Sequence, residues 1–372
     1  MSTRALATPA DPQPYDAILL VTFGGPEKPD DVLPFLRNVT AGKGIPDERL
    51  VEVGEHYFRF GGKSPINQLT RELVAAIEAD LAANGLDLPV YWGCRNWDPY
   101  LNVTIKQMAA DGVRRALAIT TSAYSSYSGC RQYRENLHDA VSVVPGAPMI
   151  DKARAYYNHP GHVSAVVAAT LAGLEELAGI NPEPPTLLFV THSIPVQMDR
   201  SSSPEGSGYT RQHHELMAEV IRQVTAGTGV EHRHELVYCS RSGSPHMPWL
   251  EPDINDRIRE LRTTGTGAVL AVPFGFISDH MEVIYDLDTE ARATAEEVGM
   301  VFVRAATAGL HPDFVATFRE LLLERAAAER GEAPARAVAV GSVVLDRCPQ
   351  DCCPNPREQR SALCGLDEPV VG

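Results

Sequence analysis

Basic charge is in short supply in this chain. Its 372 residues carry 33 Lys and Arg against 48 Asp and Glu, a formal net charge of −15. A nucleic-acid binder presents a basic face, so that class is set aside. Long apolar runs are also missing. The longest helix-like one, Val163–Leu174, is broken by Ser, Thr and Gly and falls short of the ~20 residues a membrane span needs. Residues 1–14 (MSTRALATPADPQP) have no apolar core of the secretory kind and read as a disordered leader, so a cytoplasmic protein is expected. There is no G-x-G-x-x-G fingerprint and no phosphate loop; the turn after the first apolar run is Gly24-Gly25-Pro26, and no nucleotide cofactor is expected. Cysteine is sparse until the end, where four of seven fall in the last 25 residues. A reducing compartment disfavours structural disulfides, and such clustering points to metal.

What is present is an ordinary globular composition, 44% hydrophobic, with room for two domains. Short apolar runs alternate with helical patterns: Tyr15–Phe23, Pro89–Cys94 and Ala116–Thr121 in one half, Thr186–Thr191, Glu235–Cys239 and Ala268–Pro273 in the other. The halves align by eye. LLVTFGGP answers LLFVTHSIP, VYWGCRNWDP answers VYCSRSGSPHMPWLEP, and RRALAITTSAYSS answers GAVLAVPFGFISDH. Cys94 and Cys239 match and read as buried thiols. The pattern predicts an α/β fold: two similar Rossmann-like domains whose parallel sheets face a central cleft. The expected bounds are residues 15–180 and 181–310, with Met300–Ala305 a last strand, a helix over 311–330 packing back on the first domain, and a Cys-rich tail over 331–372.

Ligands in such sheets bind beyond the carboxyl ends of strands, where His192 follows its strand and Pro195 blocks an immediate helix. After another strand, Ser278–Glu290 (SDHMEVIYDLDTE) predicts a helix capped by Ser278 or Asp279. Glu282, Asp286 and Glu290, spaced by four, share one face. An imidazole beside a carboxylate suits a divalent metal and proton movement, and crowded carboxylates raise one another's proton affinity. In the tail, Cys348, Cys352, Cys353 and Cys364 lie in a Pro-rich segment with little core of its own, where thiolates suit Zn(II) or an iron–sulfur cluster.

LLVTFGGPE, FGGKSPINQLT, TTSAYSSYS, LLFVTHSIP, the PWL loop and PFGFISDHMEVIYDLDTE occur in this order over about Tyr15 to Leu323, and together they resemble the ferrochelatases, enzymes that insert Fe(II) into porphyrins. The resemblance implies a chelatase-like fold and a catalytic, iron-holding pair on His192 and Glu282. It places a proton or metal relay on Asp286 and Glu290, and porphyrin contacts on Ser64 and Tyr133. Phe23, Tyr57, Tyr124, Tyr127 and Trp249 supply further aromatic surface for a flat apolar slot. Arg37, Lys43, Arg59, Lys63, Arg131 and Arg134 supply positive charge for a polycarboxylate substrate. Some relatives ligate iron through a Tyr at the Phe23 position, which Phe23 cannot do. Residues Glu55–Lys63 mix charge with aromatics where membrane-bound relatives carry an apolar lip. That favours coproporphyrin III over protoporphyrin IX, with coproheme as product. A non-catalytic heme or iron–sulfur sensor is the competing reading. For the tail the resemblance favours a [2Fe–2S] cluster over zinc, held by four of Cys130, Cys348, Cys352, Cys353 and Cys364. The expected partners are the porphyrin, ferrous iron and a transiently docked downstream heme-synthesis enzyme; the chain is expected to act as a monomer.

Overall fold

The computed structural model describes residues 10–42, 44–181, 183–242, 247–334 and 336–365. Residues 1–9 of the expected leader, Lys43 and the last seven residues lie outside them. Two parallel four-stranded sheets organise the chain. The first contains β1 (Ala17–Thr22), β2 (Val90–Cys94), β3 (Arg115–Thr120) and β4 (Met149–Lys152) in the order β2-β1-β3-β4. The second contains β5 (Thr186–His192), β6 (His234–Cys239), β7 (Ala268–Val272) and β8 (Val301–Arg304) in the order β6-β5-β7-β8. The internal duplication is therefore a duplication of topology. Every residue of β1 and β7 is buried, as expected of parallel strands covered by helices on both faces. In each sheet the strand order reverses beside the first strand, so the crevice beyond the carboxyl ends of β1 and β3, and of β5 and β7, is the place for a ligand.

The expectation of three strands in the first half misses β4, whose sequence is MIDK. Its Asp151 and Lys152 are buried. Asp151 survives burial because Arg115 (2.8 and 2.5 Å), Arg325 (3.1 Å) and the Tyr15 hydroxyl (3.1 Å) all donate to it. Arg325 belongs to the helix Pro312–Glu329, which packs on the helices Pro160–Ala178 and Ile66–Ala83. Pro160–Ala178 itself lies on β7 and β8. One core thus runs continuously from Ile18 and Leu20 through Tyr124, Tyr156 and Val163 to Phe189, Leu270 and Phe318. Among the described residues, no helix is long and apolar enough to cross a membrane.

Candidate active site

His192 is the last residue of β5, and Cys239, at the end of β6, is its partner in register. Beyond it the chain is fixed by a short antiparallel clasp. Val196 N–H donates to Pro248 O (3.0 Å), Leu250 N–H to Ile194 O (3.0 Å), and Ser193 Oγ to Leu250 O (2.8 Å). Pro248 and Leu250 therefore hold the His192 loop through their backbone, with Trp249 between them opposite Pro195. Behind the strand, the Tyr209 hydroxyl donates to His192 O (2.8 Å). Its single proton is thereby used, so it accepts from Thr191 Oγ1 (2.7 Å). The imidazole Nδ1 lies 2.5 Å from Ser193 O. A carbonyl only accepts, so Nδ1 carries the hydrogen, and Nε2 of the neutral ring keeps its lone pair. That nitrogen sits 3.7 Å from Glu282 Oε2, and both side chains are partly open to solvent. The gap is too long for a direct hydrogen bond. It suits two donors sharing one cation, which at roughly 2.1 Å from each would leave them about 3–4 Å apart.

Gly275 makes this strand end possible. A Cβ there would lie 2.1 Å from Thr191 Oγ1 and 2.7 Å from Thr191 Cα, and backbone has no room to retreat. Gly275→Ala is expected to push Thr191 and His192 out of place, costing roughly 1–3 kcal/mol with a clear loss of turnover. Thermal unfolding and steady-state kinetics on the same preparation check both.

Glu282 opens a helix that begins at Met281 with His280 at its N-cap and no side-chain cap, so the expected cap by Ser278 or Asp279 is not made. Ser278 Oγ instead donates to the Asp279 carbonyl (3.3 Å). The Asp279 carboxylate accepts from Arg304 (3.2 and 3.1 Å) and Thr307 (3.1 Å). Arg304, at the end of β8, also holds Asp288 (2.7 and 2.9 Å), which braces the acidic helix at two points. From Ile284 to Ala291 the helix widens to the π form, a local feature often found at functional sites. Glu282, Asp286 and Glu290 remain on one face. Burial, opposed by a hydrogen bond from Ser240 and reinforced by Glu282 and Glu290, pushes the Asp286 carboxyl up to about 7. Burial and nearby Asp253 raise Glu290 as well. Ser240 Oγ donates to Asp286 from a left-handed backbone, φ +62°; such strain in a non-glycine residue gathers at functional sites.

The first half supplies the facing wall. The Tyr57 hydroxyl is kept protonated by burial and by the charges of Glu282 and Asp286, which places it beside the ladder. Phe35 sets its edge against Phe23, Tyr57 and Trp97 at 6.1–6.2 Å between ring centres. Arg95 lies over Phe23 (5.7 Å) and Tyr133 (4.5 Å), so those rings adjoin, with Tyr133 buried. Ser64 is buried against the Gly24-Gly25 turn; Asn67 clamps that turn, accepting from Gly25 N–H (3.1 Å) and donating to Gly25 O (3.0 Å). Across the mouth, His56 stacks on Tyr285 at 3.7 Å and Arg59 approaches the same ring at 6.0 Å.

Several expected cleft residues do other things. Tyr124 is core: it stacks on His213 (3.7 Å) and donates to Phe274 O (2.8 Å), joining the two halves. Tyr127 donates to Glu135 (3.1 Å). Arg131 donates to the carbonyls of Gln350 (2.7 Å) and Arg360 (2.8 Å), and Arg134 to Leu363 (2.5 Å), so both bind the tail. Arg37 pairs with Asp47 (2.7 Å). Arg59 remains at the mouth beside Tyr285, joined by the unforeseen Arg95 over Phe23, and Lys63 is exposed in the adjoining loop. Ser240, Tyr209, Gly275, Arg304 and Asn67 were also missed; only the polar stretch that starts at Ser240, directly after Cys239, hinted at one of them.

All seven cysteines are unbridged. Cys130, Cys348 and Cys364 line one small cavity with Arg134 and Lys152. Cys352 and Cys353 are buried, their Sγ atoms 3.8 Å apart. Ser203 N–H donates to Cys353 Sγ (3.3 Å), and Cys364 Sγ donates to Ile150 O (3.2 Å). Among the described residues, no three His, Cys, Asp or Glu side chains are close enough to share one metal ion.

Sequence comparison converges with this geometry. The ferrochelatase family profile matches residues 15–326. The chain is 52% identical to a protein of Streptomyces griseus named coproporphyrin III ferrochelatase, over 97% of this chain and 99% of that one. It is equally similar, with the same coverage, to its namesake from Streptomyces coelicolor. It is 47% identical to a ferrochelatase of Rhodopirellula baltica, over 91% of this chain and 93% of that one. With a strand-end histidine beside the first carboxylate of an acidic helix at the carboxyl edge of one parallel sheet, the chain belongs to the ferrochelatase family.

Proposed function

We propose that this protein inserts Fe(II) into coproporphyrin III, releasing two protons per iron and giving Fe-coproporphyrin III, as a cytoplasmic monomer. The observation that carries the chemistry is the His192–Glu282 pair at 3.7 Å, backed by Asp286. His192 Nε2 takes pyrrole protons, since Nδ1 is tied to Ser193 O. Glu282 with His192 receives the incoming iron, which is a substrate. Asp286, which binds a proton near neutrality, passes protons along the face to Glu290 and solvent. Phe23, Tyr57, Ser64, Tyr133 and Trp249 shape the porphyrin slot. The names of the relatives and the charged mouth support coproporphyrin III. The test is anaerobic addition of Fe(II) to enzyme and coproporphyrin III in weak buffer. Two protons should appear per iron inserted, in step with loss of the free-base spectrum; tight binding without insertion would leave only a sensor.

Arg59 and Lys63 select the acidic substrate in this reading. The Arg59→Ala/Lys63→Ala double variant should raise KM for coproporphyrin III about tenfold, the value of roughly one charged hydrogen bond, with kcat nearly kept. Steady-state titration of the porphyrin reads it.

For the tail we propose a [2Fe–2S] cluster on four of Cys130, Cys348, Cys352, Cys353 and Cys364. Such a cluster spreads its thiolates over two irons, which suits thiols disposed along a cavity. Bound there, it supplies a structural staple and a one-electron centre. Arg131 and Arg134 hold the tail backbone in place for it.

A further inference from the structure

We infer that Lys152 balances the charge of the tail's metal group and sets its reduction midpoint, an inference that rests on the [2Fe–2S] reading. Side chains alternate faces along a strand, and β4 sends two adjacent charges opposite ways. Asp151 turns toward the helix Pro312–Glu329, where arginines neutralise it. Lys152 turns into the cavity lined by Cys130, Cys348 and Cys364. It is 6% exposed, and its Nζ donates to Ala153 O at 3.0 Å. Among the described residues it has no carboxylate partner. A buried ammonium costs several kcal/mol unless an opposite charge faces it; the cavity it enters is lined by three thiols and by Asp346, whose carboxylate is already paired with Arg336.

A cluster on four thiolates carries net negative charge. One-electron reduction by an added reductant turns one Fe(III) into Fe(II) and makes that charge larger. A fixed cation beside the cluster therefore stabilises the reduced form more than the oxidised one. Net charge and surroundings are what tune such centres, and Lys152 is the ammonium the fold delivers to that cavity, alongside Arg134, which donates to Leu363 O, and Arg154, which pairs with Glu324. A flexible lysine at the surface would be screened by water; this one is enclosed with the sulfurs.

The experiment uses the full-length protein purified without oxygen, as wild type, Lys152→Gln and Lys152→Arg. Iron and acid-labile sulfide are counted first, then the midpoint is titrated by absorbance and electron paramagnetic resonance. The expected result is a wild-type two-iron cluster, a more negative midpoint in Lys152→Gln, and a midpoint near wild type in Lys152→Arg. If Lys152→Gln loses the cluster while Lys152→Arg keeps it, the charge is required and the inference stands. An unchanged midpoint in Lys152→Gln overturns it, as does loss of the cluster in both variants, which would mark a packing role. Zinc or no metal in the wild-type tail would sink the cofactor reading itself, and the redox role with it.

Discussion

Replacing His192 with alanine is expected to lower iron insertion by about 10³-fold while coproporphyrin III still binds. The imidazole has its lone pair fixed toward the ladder: Nδ1 is committed to Ser193 O and Nε2 faces Glu282. In the proposed reading the porphyrin slot is shaped by other residues, Phe23, Tyr57, Ser64, Tyr133 and Trp249, so affinity should change little. Glu282→Gln keeps the shape and removes the charge. It should lose most of the activity too, and the double variant should be scarcely worse than the worse single one, because the two act as a unit. Fluorescence quenching for binding and stopped-flow absorbance for insertion separate the effects. Normal turnover in the double variant would contradict the assignment.

Asp286→Asn should stabilise the protein above neutral pH while slowing turnover about 10²-fold. Burial pushes the folded carboxyl up to about 7 from its ordinary 3.8, so the native state binds its proton more tightly than the unfolded chain does. Between those values the native state holds more protons, and stability falls as pH rises through that window. Above pH 7 the ionised, buried side chain costs roughly 2–4 kcal/mol, which asparagine removes while still accepting from Ser240. Below about pH 4 wild type and variant should unfold alike. Urea titrations at pH 4 and pH 8 measure the difference. The same variant should lose the inflection near pH 7 from its kcat profile; equal stability at both pH values would place the Asp286 carboxyl in ordinary solvent.

The strands that carry the site were legible because they are buried on both faces and so read as unbroken apolar runs. His192 was legible for the same reason, since the run ends where it stands. The acidic ladder was visible as a spacing of four, which survives the change from α to π because both keep those residues near one face. β4 was not legible: Asp151 and Lys152 look like loop residues until Arg115 and Arg325 arrive from elsewhere. Asp279 had the right type for an N-cap, but Arg304 competes for it and wins with two charged hydrogen bonds. Arg131 and Arg134 sit in the loop where substrate-binding charge was expected. Their direction is set by tail carbonyls more than 200 residues away, which local sequence cannot reveal. Ser240 escaped notice because its role depends on a left-handed backbone and on a carboxylate from another element.

The most direct test of the account is anaerobic Fe(II) insertion with coproporphyrin III and protoporphyrin IX offered separately, followed as kcat/KM for each. The charged mouth at Arg59 and Lys63 and the His192–Glu282 pair predict insertion into both ring cores in principle, with coproporphyrin III strongly preferred. Preference for protoporphyrin IX would contradict the reading of the mouth, and binding of both with insertion into neither would contradict the catalytic pair.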